Sequence, residues 1–290
     1  MQRLVECVPN FSEGRKPETV QQIAAAISPV DTACVLDRHI DPDHNRSVIT
    51  FVATPEHVVE AAVAGVRRAS ELIDMRRHEG VHPRLGATDV LPFVPIRGVT
   101  IEDCVALAHE AGSVIARELS IPVYYYERAA LLPDRVNLED VRRNAQSQMP
   151  DEGPESFHES AGAIVIGARP FLIAFNVVLR SDDVAIARRI ARTIRARNGG
   201  LPFLKALGFQ LQTRNLVQVS MNLVNYQVTG MGDAYSAIRR EVDALGVEIE
   251  NTEIVGLVPR DALDREAEYF RKLGNFSEAT ILENQIEKCY

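Results

Sequence analysis

A chain of 290 residues with a formal net charge of −8, 46% hydrophobic and 25% charged residues has room for two domains, each with its own core. Those values exclude a disordered or fibrous chain. The acidic balance also argues against a general nucleic-acid binder, which needs a basic surface to displace counterions. The apolar run 171–179 is broken by Asn176 and stops at Arg180, far short of the roughly 20 residues that span a bilayer. Glu6 and Pro9 interrupt the start of the chain, where a signal peptide needs a continuous apolar core, so the expected location is the cytoplasm. The cysteines Cys7, Cys34, Cys104 and Cys289 are scattered, with neither C-x-x-C nor framework spacing.

In chain order, 4–8 reads as a strand and N-F-S-E-G as a turn presenting Asn10, while Pro17 opens a helix over 17–27. Two β-rich runs, 33–36 and 47–53, flank a polar connector, D-R-H-I-D-P-D-H-N-R, too long for a tight hairpin turn. Apolar residues at helical spacing from Val58 to Ile73 predict a helix. It delivers the chain to R-H-E-G-V-H-P-R-L-G, a loop shaped by Gly80, Pro83 and Gly86. The next run, 90–96, reads as a strand that Pro92 and Pro95 demote toward an edge or a bulge. Thr100 caps a helix with acids in its first turn, 121–126 is a strand, and 138–145 a short helix. The polar segment 146–161 is a linker or a binding loop.

The second half has the order β-α-β-β-α-β: strand 173–179, a helix capped by Ser181 and ended at Asn198-Gly199-Gly200, strands 206–212 and 216–223, helix 232–245, and strand material within 247–258. Pro259 then opens a helical region with a break near Gly274-Asn275. This is the split β-α-β order of ferredoxin-like plaits, and the first half shows it with an added α-β pair. The expected fold is α+β, two ferredoxin-like α/β plait subdomains over 1–171 and 172–290. Helices cover one face of each sheet, and the sheets pack face to face around a ligand cleft.

Chemistry concentrates at His78 and His82. Their i,i+4 spacing matches paired zinc ligands, but Gly80 and Pro83 break the helix that such a pair requires, and no third ligand stands nearby. Two readings remain, histidines that brace the loop and a proton-transferring base; His82 is the better base. In the connector, Asp37, Asp41 and Asp43 are either a solvated charged run or part of a site, while His44 and Arg46 stand at the edge of the next strand. Calcium binding lacks the D-x-D-x-D-G pattern. Arg46, Arg84 and Arg169 are candidates for substrate carboxylates by charge complementarity; for Arg169 a structural salt bridge fits equally. Neither G-x-G-x-x-G nor a P-loop occurs, so no nucleotide cofactor is expected, and no metal.

At these residues the chain resembles the glutamate formiminotransferases of histidine degradation, along nearly its whole length. The pieces that carry the likeness are V-E-C-V-P-N-F-S-E-G at 5–14, N-R-S-V-I-T-F-V at 45–52 and L-I-D-M-R-R-H-E-G-V-H-P-R-L-G-A-T-D-V-L-P-F-V-P at 72–95. G-A-R-P-F-L-I-A-F-N at 167–176 and V-S-M-N-L at 219–223 extend it. No cyclodeaminase segment follows them, so the likeness is to the stand-alone bacterial form. The resemblance implies transfer of a formimino group from N-formimino-L-glutamate to N5 of tetrahydrofolate, with tetrahydrofolate as co-substrate, and a homodimer by family analogy. It implies that the residue matching His82 shuttles the proton. It places folate on a loop at Gly153, Pro154, Glu155, Ser156, Phe157, His158, Glu159, Ser160, Ala161 and Gly162, in a cleft between the plaits. It leaves Asn10, Asp37, Asp41, His44, Arg46, Arg84 and Arg169 as further substrate contacts. Two alternatives stay open: a one-carbon enzyme of the same fold acting on 5-formyltetrahydrofolate, and a non-catalytic folate-binding protein.

Overall fold

A computed structural model of the chain describes residues 2–265 and 277–290. The chain divides into two compact units, Met1–Pro170 and Phe171–Tyr290. In the first, β1 (Leu4–Cys7) and β2 (Asn10–Phe11) form one strand, interrupted at Val8-Pro9, that lies between β4 (Arg46–Ala53) and β5 (Thr88–Arg97). Strand β3 (Cys34–Asp41) pairs with β4. With α1 (Pro17–Ile27) and α2 (Val58–Leu72) these strands make an antiparallel plait of the split β-α-β kind. Helix α3 (Ile101–Leu119), β6 (Val123–Glu127) and β7 (Ile164–Ala168) extend it, and β7 runs parallel to both β5 and β6.

Helical spacing decides which side is packed. In α1, Val20, Ile23, Ala24 and Ile27 fall on one stripe and are buried. They meet Phe11, Ile49, Phe51, Leu91, Phe93 and Ile115 in the main core. Helix α3 starts where Thr100 and Asp103 form a reciprocal capping box. The opposite face of this sheet is not bare, contrary to the one-sided arrangement expected. The short helix α4 (Leu138–Asn144) lays Val141 on it, against Val90, Tyr124, Tyr126 and Val165.

Of the edge and the bulge left open for β5, the structure shows the second: the strand is interior, with its register shifted at Pro95. Pro92 lies opposite the gap between the β1 and β2 pairings, and Pro95 pairs with Val5 where the register shifts, so neither position requires a ladder N–H. The polar connector is mostly strand: β3 continues to Asp41, and Asn45, at φ 46, closes a short turn into β4. Strand β7 was not anticipated, because a five-residue apolar run buried along its whole length carries no alternation to mark it.

The second unit follows the expected order: β8 (Ile173–Leu179), α5 (Val184–Ile194), β9 (Leu204–Leu211), β10 (Leu216–Leu223), α6 (Met231–Leu245) and β11 (Ile249–Val255). Its four strands are antiparallel in the order β11-β8-β10-β9. Phe175, Val177, Val219 and Met221 from the sheet pack on Ile190, Ile194, Ala234 and Ile238 from the helices. Helix α5 is capped by Asp183, whose Oδ1 accepts from Ala185 N at 2.8 Å, two residues beyond the expected Ser181. After α7 (Arg260–Arg265) the chain is described again only from Ser277, ending in a helix at Leu282–Glu287. The break expected near Gly274-Asn275 lies outside the described residues. Among the described residues no helix is long and apolar enough to cross a membrane.

Gly208 lets the backbone of α5 rest on β9. A Cβ there would stand 2.3 Å from Arg188 N and 2.5 Å from Ala187 C, both main-chain atoms that cannot step aside. Gly208→Ala is therefore expected to destabilise the second unit by about 1–3 kcal/mol in denaturant unfolding. A change near zero would mean that α5 does not pack this closely.

Candidate active site

The segment 78–86 has little regular structure of its own, and its shape comes from its neighbours. Asn45 Oδ1 accepts from Gly14 N at 3.0 Å and its Nδ2 donates to Glu79 O at 2.8 Å, so one side chain ties two loops together. Arg84 is spent inside the loop. Its Nε donates to His82 O (2.9 Å), Nη1 to Asn45 O (2.9 Å) and Nη2 to His44 O (2.8 Å), with the His78 ring against Nη1. Burial first, then repulsion from Arg46, lowers the Arg84 pKa to about 10, which still leaves it charged at neutral pH. Gly86 has to be glycine for space, because a Cβ would lie 2.2 Å from Ala163 O. Ser12 Oγ donates to Gly86 O at 2.7 Å, which gives the N-F-S-E-G turn a structural task.

Within this frame the His82 ring is fixed. Its Nδ1 stands 2.8 Å from Pro83 O. A carbonyl oxygen only accepts, so Nδ1 carries the hydrogen and Nε2 the lone pair. Burial pushes the His82 pKa well below its ordinary 6.5, and the positive charges of Arg46 and Arg142 push it further, against Asp89 and the Pro83 carbonyl. The ring is therefore neutral at pH 7. His44 stands beside it, ring centroids 6.1 Å apart and edge-on, with Nδ1 donating to Asp41 Oδ2 at 2.7 Å. Burial acts to raise the Asp41 pKa, but hydrogen bonds from the His44 ring and the His44 N–H outweigh it and hold it low.

The charge centre next to His82 is Asp89, whose side chain is 0% exposed. Its Oδ1 accepts from Leu85 N at 2.8 Å, and its Oδ2 from Arg46 Nη1 at 2.8 Å and from Arg142 Nη2. Burial opposes ionisation, yet Arg142 and Arg46 together hold the carboxyl far below the usual range. Arg46 also donates through Nε and Nη2 to Asn10 Oδ1, at 3.2 and 2.9 Å. Neither Asp89 nor Arg142 was singled out from the sequence. An acid inside an apolar strand was the available signal for Asp89, since a buried charge requires a partner; nothing in L-E-D-V-R-R-N marks Arg142.

The loop 153–162 is joined to this site. His158 and Gly162 exchange backbone hydrogen bonds at 2.9 Å, and the His158 Nδ1 accepts from Ser160 N and Ala161 N. Ser160 O accepts from Met75 N and Ala161 O from Ala87 N, both at 2.8 Å, so the turn brackets the His82 loop from either end. Phe157 packs edge-on against Tyr124. Gly153, Pro154, Glu155 and Ser156 are exposed, and Glu159 pairs with Arg76 at 2.6 Å on the surface.

The remaining candidates are dispersed. Asp37 sits on β3 opposite Thr50, with its pKa raised by burial. Arg169, at the end of β7, donates through its backbone N–H to Phe93 O and through Nη1 to Pro170 O, both 3.1 Å. His78 lies against the Arg84 guanidinium, a poor place for a metal cation. Among the described residues no group of three or more His, Cys, Asp or Glu is placed to hold a metal ion.

A two-unit α+β chain with a neutral, oriented imidazole beside a buried charge cluster has the parts of a proton-transferring enzyme. Family comparison makes the class specific. Residues 4–169 match the formiminotransferase domain, N-terminal subdomain, and residues 174–288 match the formiminotransferase domain. The chain belongs to the formiminotransferase family. It is similar to the glutamate formimidoyltransferase of Thermoplasma acidophilum, 49% identical over 99% of this chain and 98% of the relative. The glutamate formimidoyltransferase of Streptococcus pyogenes serotype M1 is 40% identical over 99% of both. The formimidoyltransferase-cyclodeaminase of Rattus norvegicus is 44% identical over 91% of this chain, which spans 51% of that protein.

Asp89→Asn removes the buried carboxylate that Arg46 and Arg142 share. Unpairing such a cluster costs about 3–5 kcal/mol, to be read from denaturant unfolding at pH 7. The contribution belongs to the ionised carboxylate, so it is present above the unfolded-state value near 3.9 and is lost as pH falls toward the depressed folded value. The gap between variant and wild type should shrink in acid; a constant gap would contradict the pairing.

Proposed function

We propose that the chain transfers the formimino group of N-formimino-L-glutamate to N5 of tetrahydrofolate, giving 5-formiminotetrahydrofolate and glutamate, as a step of histidine degradation. The observation that carries the reading is the fixed His82 tautomer, with Nδ1–H held by Pro83 O and the lone pair on Nε2. The family membership supplies the substrate class.

The chemistry asks for one group that takes a proton and gives it back. N5 of the folate attacks the amidine carbon, and the N5 proton passes to His82 Nε2 as the tetrahedral intermediate forms. The imidazolium then donates that proton to the glutamate nitrogen, and the carbon–nitrogen bond to glutamate breaks. A depressed His82 pKa serves both halves: the ring is unprotonated when N5 attacks, and once protonated it is a strong acid toward the departing amine. The 153–162 turn, hydrogen-bonded to both ends of the His82 loop, is a support for the pterin in this reading.

His82→Ala is expected to lower kcat by about 10²–10⁴-fold while tetrahydrofolate still binds; turnover that is unchanged refutes the shuttle. Because burial and two arginines favour the neutral ring, the acid limb of kcat/KM should lie below the ordinary 6.5, with a plateau through neutral pH. A limb above 6.5 would contradict this.

A further inference from the structure

In the reaction proposed above, the donor's α-carboxylate lies two bonds from the nitrogen that leaves. The γ-carboxylate is two bonds further out. A cation that holds the α-carboxylate must therefore neighbour the group that protonates that nitrogen.

The charge balance next to His82 is positive. Arg46 and Arg142 converge on one carboxylate, Asp89, which leaves one positive charge uncompensated. The two arginines are not equivalent. Arg46 uses Nη1 on Asp89 and both Nε and Nη2 on Asn10, so its donors are occupied. Arg142 reaches Asp89 through Nη2, its Nε is buried with no hydrogen-bond partner, and 15% of its side chain remains open. A buried guanidinium donor left unmet is unfavourable, and the open part of the side chain is where an acceptor anion would meet this under-used guanidinium. A carboxylate matches guanidinium donors in charge and geometry.

We propose that Arg142 binds the α-carboxylate of the formimino donor beside His82, and thereby sets a preference for donors built on α-amino acids. Asp89 holds the guanidinium from behind, and the short helix α4 carries it over the sheet face next to the His82 loop. This rests on the transfer reaction proposed above.

The test compares two donors, N-formimino-L-glutamate and N-formimino-4-aminobutyrate, which keeps the chain and the distal carboxylate but lacks the α-carboxylate. Loss of a charged hydrogen bond, worth about 1.5–3 kcal/mol, corresponds to roughly 10–100-fold. Arg142→Gln should lower the ratio of kcat/KM between formiminoglutamate and the aminobutyrate donor by that factor, through KM for formiminoglutamate. Loss of a charge beside Asp89 and His82 acts on kcat for both donors alike and cancels in that ratio, so the preference between donors collapses. Arg142→Lys should keep part of the preference. A folded Arg142→Gln enzyme with the wild-type preference overturns the assignment. Should that variant not fold, calorimetric titration of the wild-type enzyme decides: glutamate binding far tighter than 4-aminobutyrate, and weakened in Arg142→Lys, supports it, whereas equal binding overturns it. Wild-type enzyme inactive on both donors would instead count against the transfer reaction, with the glutamate titration still deciding the carboxylate subsite.

Discussion

The buried Asp89 carboxylate is the point on which the site depends. One side chain joins four parts of the first unit: Leu85 N at the end of the histidine loop, Arg46 at the start of β4, Arg142 on α4, and through Arg46 the Asn10 side chain on β2. Such a group is held ionised only because its partners are also buried and aimed at it, and burial without them would leave it protonated. The cluster thus fixes positions more than it adds stability. Its charge is positive on balance, and that field reaches His82.

The consequence for chemistry lies at His82. Asp89 favours the charged ring, but burial and the charges of Arg46 and Arg142 outweigh it. The His82 Nδ1–H is held by the main-chain carbonyl of Pro83, and its neighbours disfavour the protonated ring. A histidine held by a carboxylate would resist giving up a proton; one held by a carbonyl and pressed by arginines releases it readily. Small residues complete the arrangement where space is short: Gly86 lies against the Ala161 and Ala163 carbonyls, and Gly162 reaches positive φ as the 153–162 turn closes.

Much of this was legible in the sequence, for identifiable reasons. The helices with clear apolar stripes, α1, α2 and α3, and the whole β-α-β-β-α-β order of the second unit follow from periodicity and caps. The histidine loop was legible because glycine, proline and two imidazoles coincide there. What escaped notice depends on distant partners. Pro92 and Pro95 leave an edge and a bulge equally open until the strand opposite is seen to be interrupted and out of register at those points. The aspartates of the connector look solvated until β4 gives β3 a partner. Arg84 resembles a carboxylate ligand in a linear reading, yet its donors are directed to loop carbonyls. Arg142 could not be distinguished from Arg143 beside it without the fold that directs one to Asp89 and leaves the other pairing with Asp140 on the surface.

The most direct test of the central claim, that His82 Nε2 is the atom exchanging protons with the folate, is a crystal structure with a tetrahydrofolate analogue bound. The account predicts N5 within hydrogen-bond reach of Nε2, about 2.6–3.2 Å or through one water, with Nδ1 still on Pro83 O. A pterin bound with N5 remote from His82, or a ring turned so that Nδ1 faces the ligand, would contradict it.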